Sequence, residues 1–105
     1  MLKITKPVSL PKTVVVEYEG GKFYFRVPTD LDKFDLITAE KTSDRIKATF
    51  GTLEKIENVV DENDKPITPS AILELLTIEQ ISVIMMERNK MMAELEKQLE
   101  AETKN

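Results

Sequence analysis

Residues 13–27 carry the clearest alternation in the chain: two β-rich runs, TVVVEY and FYFRV, flank EGGK. Branched and aromatic residues at every second position suit a pleated strand, and a glycine pair between two such runs suits a tight hairpin. A two-residue turn at Gly20-Gly21 sets Tyr18 opposite Phe23, Val16 opposite Phe25 and Val14 opposite Val27, which makes one face wholly apolar. The other face pairs Glu17 with Tyr24 and Val15 with Arg26, as expected of a hairpin laid on a core from one side. Residues 1–12 hold Pro7 and Pro11 without alternation and read as an extended arm.

Beyond Pro28 the period changes. Thr29 or Asp30 is placed to cap a helix whose apolar side is Leu31, Phe34 and Ile37, and this helix is expected to cover the hairpin. Residues 42–60 fit two templates. Ile46, Phe50, Leu53 and Ile56 or Val60 have helical spacing, whereas Arg45 to Phe50 alone also alternates as a strand. The helical reading is taken for much of this stretch, with Gly51 as a kink or break. DENDKP, residues 61–66, is a polar turn. Thr68 with Pro69 after it suits the start of a short helix, PSAILELL. Thr77-Ile78-Glu79-Gln80 has the spacing of a capping box, with Leu76 and Ile81 placed as its hydrophobic staple.

The last helix, roughly residues 78–100, is the most informative segment. Ile81, Met85, Arg88, Met92, Leu95 and Leu99 lie four, three, four, three and four apart, the seam of a coiled coil or of a helix packed lengthwise on a partner. Ile84 and Met91 widen the stripe. Past Ala93 only Leu95 and Leu99 stand among charges, so this end either frays or meets another chain. The fold expectation is α+β: an N-terminal β-hairpin packed on a mainly helical body with a long C-terminal helix. An arm at 1–12, one domain at 13–93 and a charged helical tail at 94–105 complete it.

Composition narrows the function classes. The chain has 105 residues, enough for one domain that buries roughly 65% of its unfolded surface. Cysteine and histidine are both absent, which removes thiolate chemistry together with the commonest general base and metal ligand. The net charge of −4 divides unevenly, +2 over residues 1–52 and −6 over residues 53–105. Neither half is basic enough to neutralise a phosphate backbone or to seek an anionic membrane, so neither nucleic acid nor membrane is an expected partner. No run approaches the length of about 18 to 20 apolar residues that a membrane span needs, and a cytoplasmic protein is expected.

Candidate chemistry is sparse. Asp61, Glu62 and Asp64 invite comparison with a calcium loop, but Lys65 falls on a ligand position, Pro66 replaces the required glycine and Ile72 stands where a bidentate glutamate belongs. Asp30, Asp32 and Asp35 sit at a helix start, where acids serve the helix dipole, and Gly20-Gly21 precedes a strand and lacks the further glycines of a phosphate loop. Tyr24 and Arg26 have no basic surround that would make a base-stacking platform. No nucleophile stands at a useful spacing from a base, and neither catalysis nor a cofactor is expected. The paired methionines Met85-Met86 and Met91-Met92 suit either core packing or an adaptable partner surface. Arg88, on the seam itself, should meet an acid or stay at an edge. Met85, Arg88, Met92, Leu95 and Leu99 are therefore the candidate partner-binding residues.

The hairpin GGKFYFRVPT, the helices after it, the polar turn, and LLTIEQISVIMMERNK with a charged tail resemble the small tail assembly chaperones of long-tailed bacteriophages, over about residues 13–100. That resemblance implies a non-enzymatic protein that binds the tape-measure protein, keeps its apolar helices soluble and helps tail-tube protein polymerise around it in the bacterial host cytoplasm. It also implies self-association and, often, a longer product made by ribosomal frameshifting. No binding residue is carried over, because no single motif maps one. Two other classes stay open: a phage structural component such as a connector or tail-completion subunit, and a small acidic regulator that occupies a basic surface on its target.

Overall fold

The computed structural model describes residues 1–2 and 13–103, with side chains described through residue 98. From residue 3 onward the expected arm at 1–12 lies outside the described residues, as does the side chain of Leu99. Among the described residues seven elements follow in chain order: β1 (Thr13–Tyr18), β2 (Gly21–Arg26), α1 (Asp30–Thr38), α2 (Thr42–Phe50), β3 (Leu53–Glu57), α3 (Ile72–Leu75) and α4 (Ile78–Thr103). The class is α+β, with an antiparallel sheet in the order β1-β2-β3 and a long C-terminal helix.

The hairpin has the expected apolar face in a different register. Its turn residues are Glu19 and Gly20, at φ 47° and 85°, and Val14 faces Phe25, Val16 faces Phe23 and Tyr18 faces Gly21. Two positive φ values belong to the primed turn that matches strand twist. Gly21 is consumed by β2 because it is buried: a Cβ there would stand 2.5 Å from Val59 Cγ2, so only glycine admits that neighbour. The partners slip by two residues, and a slip of two keeps every side chain on its own face. Val14, Val16, Phe23 and Phe25 accordingly all reach the core.

The ambiguous stretch resolves into both templates, one after the other. Helix holds for α2, and Gly51 ends it, its N–H donating to Lys47 O at 2.9 Å. From Leu53 the helical reading is corrected: β3 pairs with β2, with Phe23 facing Ile56, Tyr24 facing Lys55 and a bulge between Tyr24 and Phe25. Arg26 N reaches Thr52 O at 2.9 Å and carries the ladder past the bulge. The hairpin thereby becomes a three-stranded sheet, which is easier to stabilise than two strands alone.

The second correction concerns what covers the sheet. α1 forms where expected, with a complete capping box between Thr29 and Asp32, yet none of its residues is buried; Leu31, Phe34 and Ile37 are 71%, 61% and 81% exposed. α4 does the covering. It packs against β1 and sends Ile84, Arg88 and Met92 into a core shared with the sheet, Phe50, Leu53 and Ile72. Full burial of a side chain of Ile84 or Phe25 size contributes about 1.5–3 kcal/mol, so α4 and the sheet hold the fold and α1 contributes little. The capping box at Thr77 and Gln80 is present in both directions, at 2.9 and 3.2 Å. The short helix before it is one turn only. Thr68 and Pro69 lie ahead of it in a turn closed by Ala71 N to Thr68 O, so the expected start at Thr68 is corrected to Ile72.

Candidate functional site

Residues of α1, of α4 and of the segment just after β2 line an open groove of about 560 Å³. Val27, Pro28, Leu36, Ile37, Met92 and Leu95 make it mainly apolar, with Lys33 and Glu96 among its lining residues. Arg88 also lines it. Its position follows from helical spacing: Ile84, Arg88 and Met92 stand four apart on the face that α4 turns to the sheet, so a residue between two core contacts is carried into the core with them.

Arg88 is 5% exposed, and its guanidinium carbon lies 5.7 Å from the centre of the Phe25 ring, within range of a cation–π contact. Nη1 donates to Asn89 Oδ1 at 2.9 Å, but Nε and Nη2 are buried and have no hydrogen-bond partner among the described residues. Burial pulls the guanidinium below its ordinary pKa, and the charge of Asp32 opposes that pull. Among the described residues, no acid meets this buried seam arginine.

Asp32 is already committed. Its Oδ2 accepts from Arg26 Nη1, from Thr29 N at 2.8 Å and from Thr29 Oγ1 at 2.9 Å, while Oδ1 accepts from Arg26 Nη2 at 2.9 Å. One carboxylate therefore caps α1 and ties it to β2. Above all the Arg26 hydrogen bonds hold the Asp32 carboxyl well below the usual carboxylate range. A folded-state pKa below the unfolded value gives stability that is fully present above the unfolded pKa, about 3.9, and is lost as pH falls below it toward the folded value. Asp32→Asn should consequently lower Tm at pH 7, with the gap to the parent protein narrowing as pH falls below about 4. A gap of constant size across a pH series of thermal melts would show that the carboxylate charge is not what matters.

The face of the sheet away from the core is polar and self-paired. Tyr24 Oη donates to Glu57 Oε2 at 2.8 Å, and Lys55 Nζ lies 2.7 Å from Glu57 Oε1 and 5.4 Å from the Tyr24 ring centre. Donation to Glu57 raises the Tyr24 pKa, and Lys55 with Tyr24 lowers that of Glu57. Tyr24 and Arg26 do not form a pair with each other; each has its own acid. In the loop before α3, Asp61 Oδ1 accepts from Asn63 N at 2.8 Å and Lys65 N at 3.0 Å, which ties that carboxylate to closing the turn.

The five candidate partner-binding residues separate. Arg88 and Met92 are buried against the chain's own sheet, since the period that suits a partner helix suits a sheet equally well. Met85 and Leu95 are half-buried against that core, and Leu95 also lines the groove. Leu99 lies outside the described side chains. Of the paired methionines, Met92 packs in the core, Met85 and Met91 lie half-buried beside it, and Met86 is 71% exposed. The exposed apolar residues of α1 were legible as an amphipathic stripe, but spacing does not say whether such a stripe is covered.

Among the described residues no helix is long and apolar enough to cross a membrane. Comparison with protein-family models, curated proteins and solved structures finds no match to this chain.

Proposed function

We propose that this chain is a non-enzymatic protein-binding subunit of the bacteriophage tail-assembly-chaperone kind, holding apolar helical stretches of the tape-measure protein in the host cytoplasm while tail-tube subunits assemble. The observation that supports this reading is the outer side of α1, where Leu31, Phe34 and Ile37 stand exposed on one short helix beside an apolar groove. Scattered exposed apolar residues are ordinary on a protein surface, but three large ones in helical register next to a groove form a patch of the kind that partner proteins cover. The acidic second half of the chain would keep a complex with an apolar partner in solution.

Co-expression with the tape-measure protein of the same tail system tests the proposal. The soluble fraction of tape-measure protein should rise, and the two chains should sediment together. The double variant Leu31→Asp/Phe34→Asp should abolish both effects while its circular dichroism stays unchanged, since neither residue is buried. Equal insolubility of the tape-measure protein with and without this chain would reject the proposal.

A further inference from the structure

We propose that the groove between α1 and α4 receives a helical segment of a partner protein whose apolar side chains cover Leu36, Ile37 and Leu95 and whose single carboxylate pairs with Arg88. This rests on the protein-binding reading above and adds to it the chemistry of the bound segment.

Three observations carry it. A guanidinium with two donors out of water and unbonded is an expensive thing to keep in a fold, and Arg88 Nε and Nη2 are in that condition. Among the described residues, the chain's own acids do not serve it. Asp32, whose charge Arg88 feels, has both oxygens engaged by Arg26 and Thr29, and Glu96 lies eight residues along α4, about 12 Å away along the axis. The groove also carries two cations, Arg88 and Lys33, against the one acid Glu96, so its charge complements an acidic group.

The walls specify the rest. Two helices flank the groove, and apolar anchors recurring at three and four residues on a third helix suit such a channel. Both unbonded nitrogens are now closed off from solvent, so a carboxylate reaches them once the guanidinium swings toward the groove. α1 permits this movement: none of its side chains is buried, and its tie to β2 lies at Asp32, in its first turn, away from Leu36 and Ile37.

The test uses the intact chain and two labelled, capped peptides of about four helical turns, identical in their leucine positions at three-and-four spacing and differing only in a central glutamate or glutamine. In fluorescence anisotropy the glutamate peptide should bind about tenfold more tightly or better, and the Arg88 Nε–H resonance should shift on binding. Arg88→Met, confirmed as folded by its thermal transition, should bind both peptides alike, at the affinity of the glutamine peptide. Equal binding of the two peptides by the parent protein, discrimination that survives Arg88→Met, or binding of neither peptide overturns the proposal. Tape-measure protein kept soluble equally well by Arg88→Met would also reject this site while the chaperone reading stands. Glutamate selectivity without any effect on the tape-measure protein would uphold the site and reject the chaperone reading.

Discussion

Replacing Phe25 with alanine should cost about 3–5 kcal/mol. Phe25 is fully buried near the end of β2, meets the Phe50 ring edge-on at 5.6 Å and 77°, and carries the Arg88 guanidinium over its face. Its removal opens a space bordered by three elements that cannot all close at once: β2 is fixed by pairing on both sides, α2 is stopped at Gly51, and α4 is held by Ile84 and Met92. For a domain with a total stability of about 5–15 kcal/mol, that loss brings the protein close to unfolding at ambient temperature. Urea titration should show a much lower midpoint with the slope unchanged. Phe34→Ala is the internal comparison: the same chemical deletion at a ring 61% exposed should shift stability by about 0.5 kcal/mol or less. Similar losses at the two positions would mean that α1 is packed into the core and that its outer face is not available to a partner.

The contrast between those two phenylalanines also marks what the sequence could convey. The apolar face of the hairpin was legible because strand parity survives an error of two in register; the register itself turned on whether the turn used Gly20-Gly21 or Glu19-Gly20. In the observed register Gly21 is buried in β2 against Val59, far along the chain, which occupies the space a side chain at position 21 would need. The same kind of non-local decision governs β3. Leu53 and Ile56 are three apart and read as helix in isolation, and only the pairing of Phe23 with Ile56 and Phe25 with Leu53 makes the segment a strand. Caps, by contrast, are local, and both Thr29 and Thr77 were readable as helix starts for that reason. At Thr68 the local cue misled, because the following residues form a turn before the helix begins.

The candidate site was legible in its periodicity and hidden in its partner. A stripe at four and three residues marked Arg88 and Met92 for burial, but it did not distinguish a second chain from the molecule's own sheet. Which amphipathic helix would win the sheet was likewise undetermined. α4 offers Ile84, Met92 and the half-buried Ile81, Met85, Met91 and Leu95, whereas α1 offers four apolar residues over nine positions, and the longer stripe buries more area. α1 was displaced to the side, and the groove exists because of that outcome.

Arg88→Met is expected to raise stability by about 1–2 kcal/mol, against the usual direction for a change at a buried position. Methionine has a comparable length and adapts to an irregular space, so little cavity is left, and the two unbonded donors disappear together with the charge. The losses are the contact over the Phe25 ring, about 0.5–2 kcal/mol, and the neutral partner Asn89, which is exposed and returns to water at little cost. For a domain of this size the gain corresponds to a rise in Tm of roughly 4–12 °C in a thermal melt. Arg88→Ala should move the opposite way, since it removes the same charge but leaves a hole between Phe25 and α4. If Arg88→Met were instead destabilised by more than about 1 kcal/mol, the guanidinium would have to be satisfied in the free protein, and the reason for seeking an external carboxylate would vanish. A gain in stability coupled to loss of discrimination between acidic and neutral peptides would mean that the arginine is retained at the expense of the fold for the sake of what it binds.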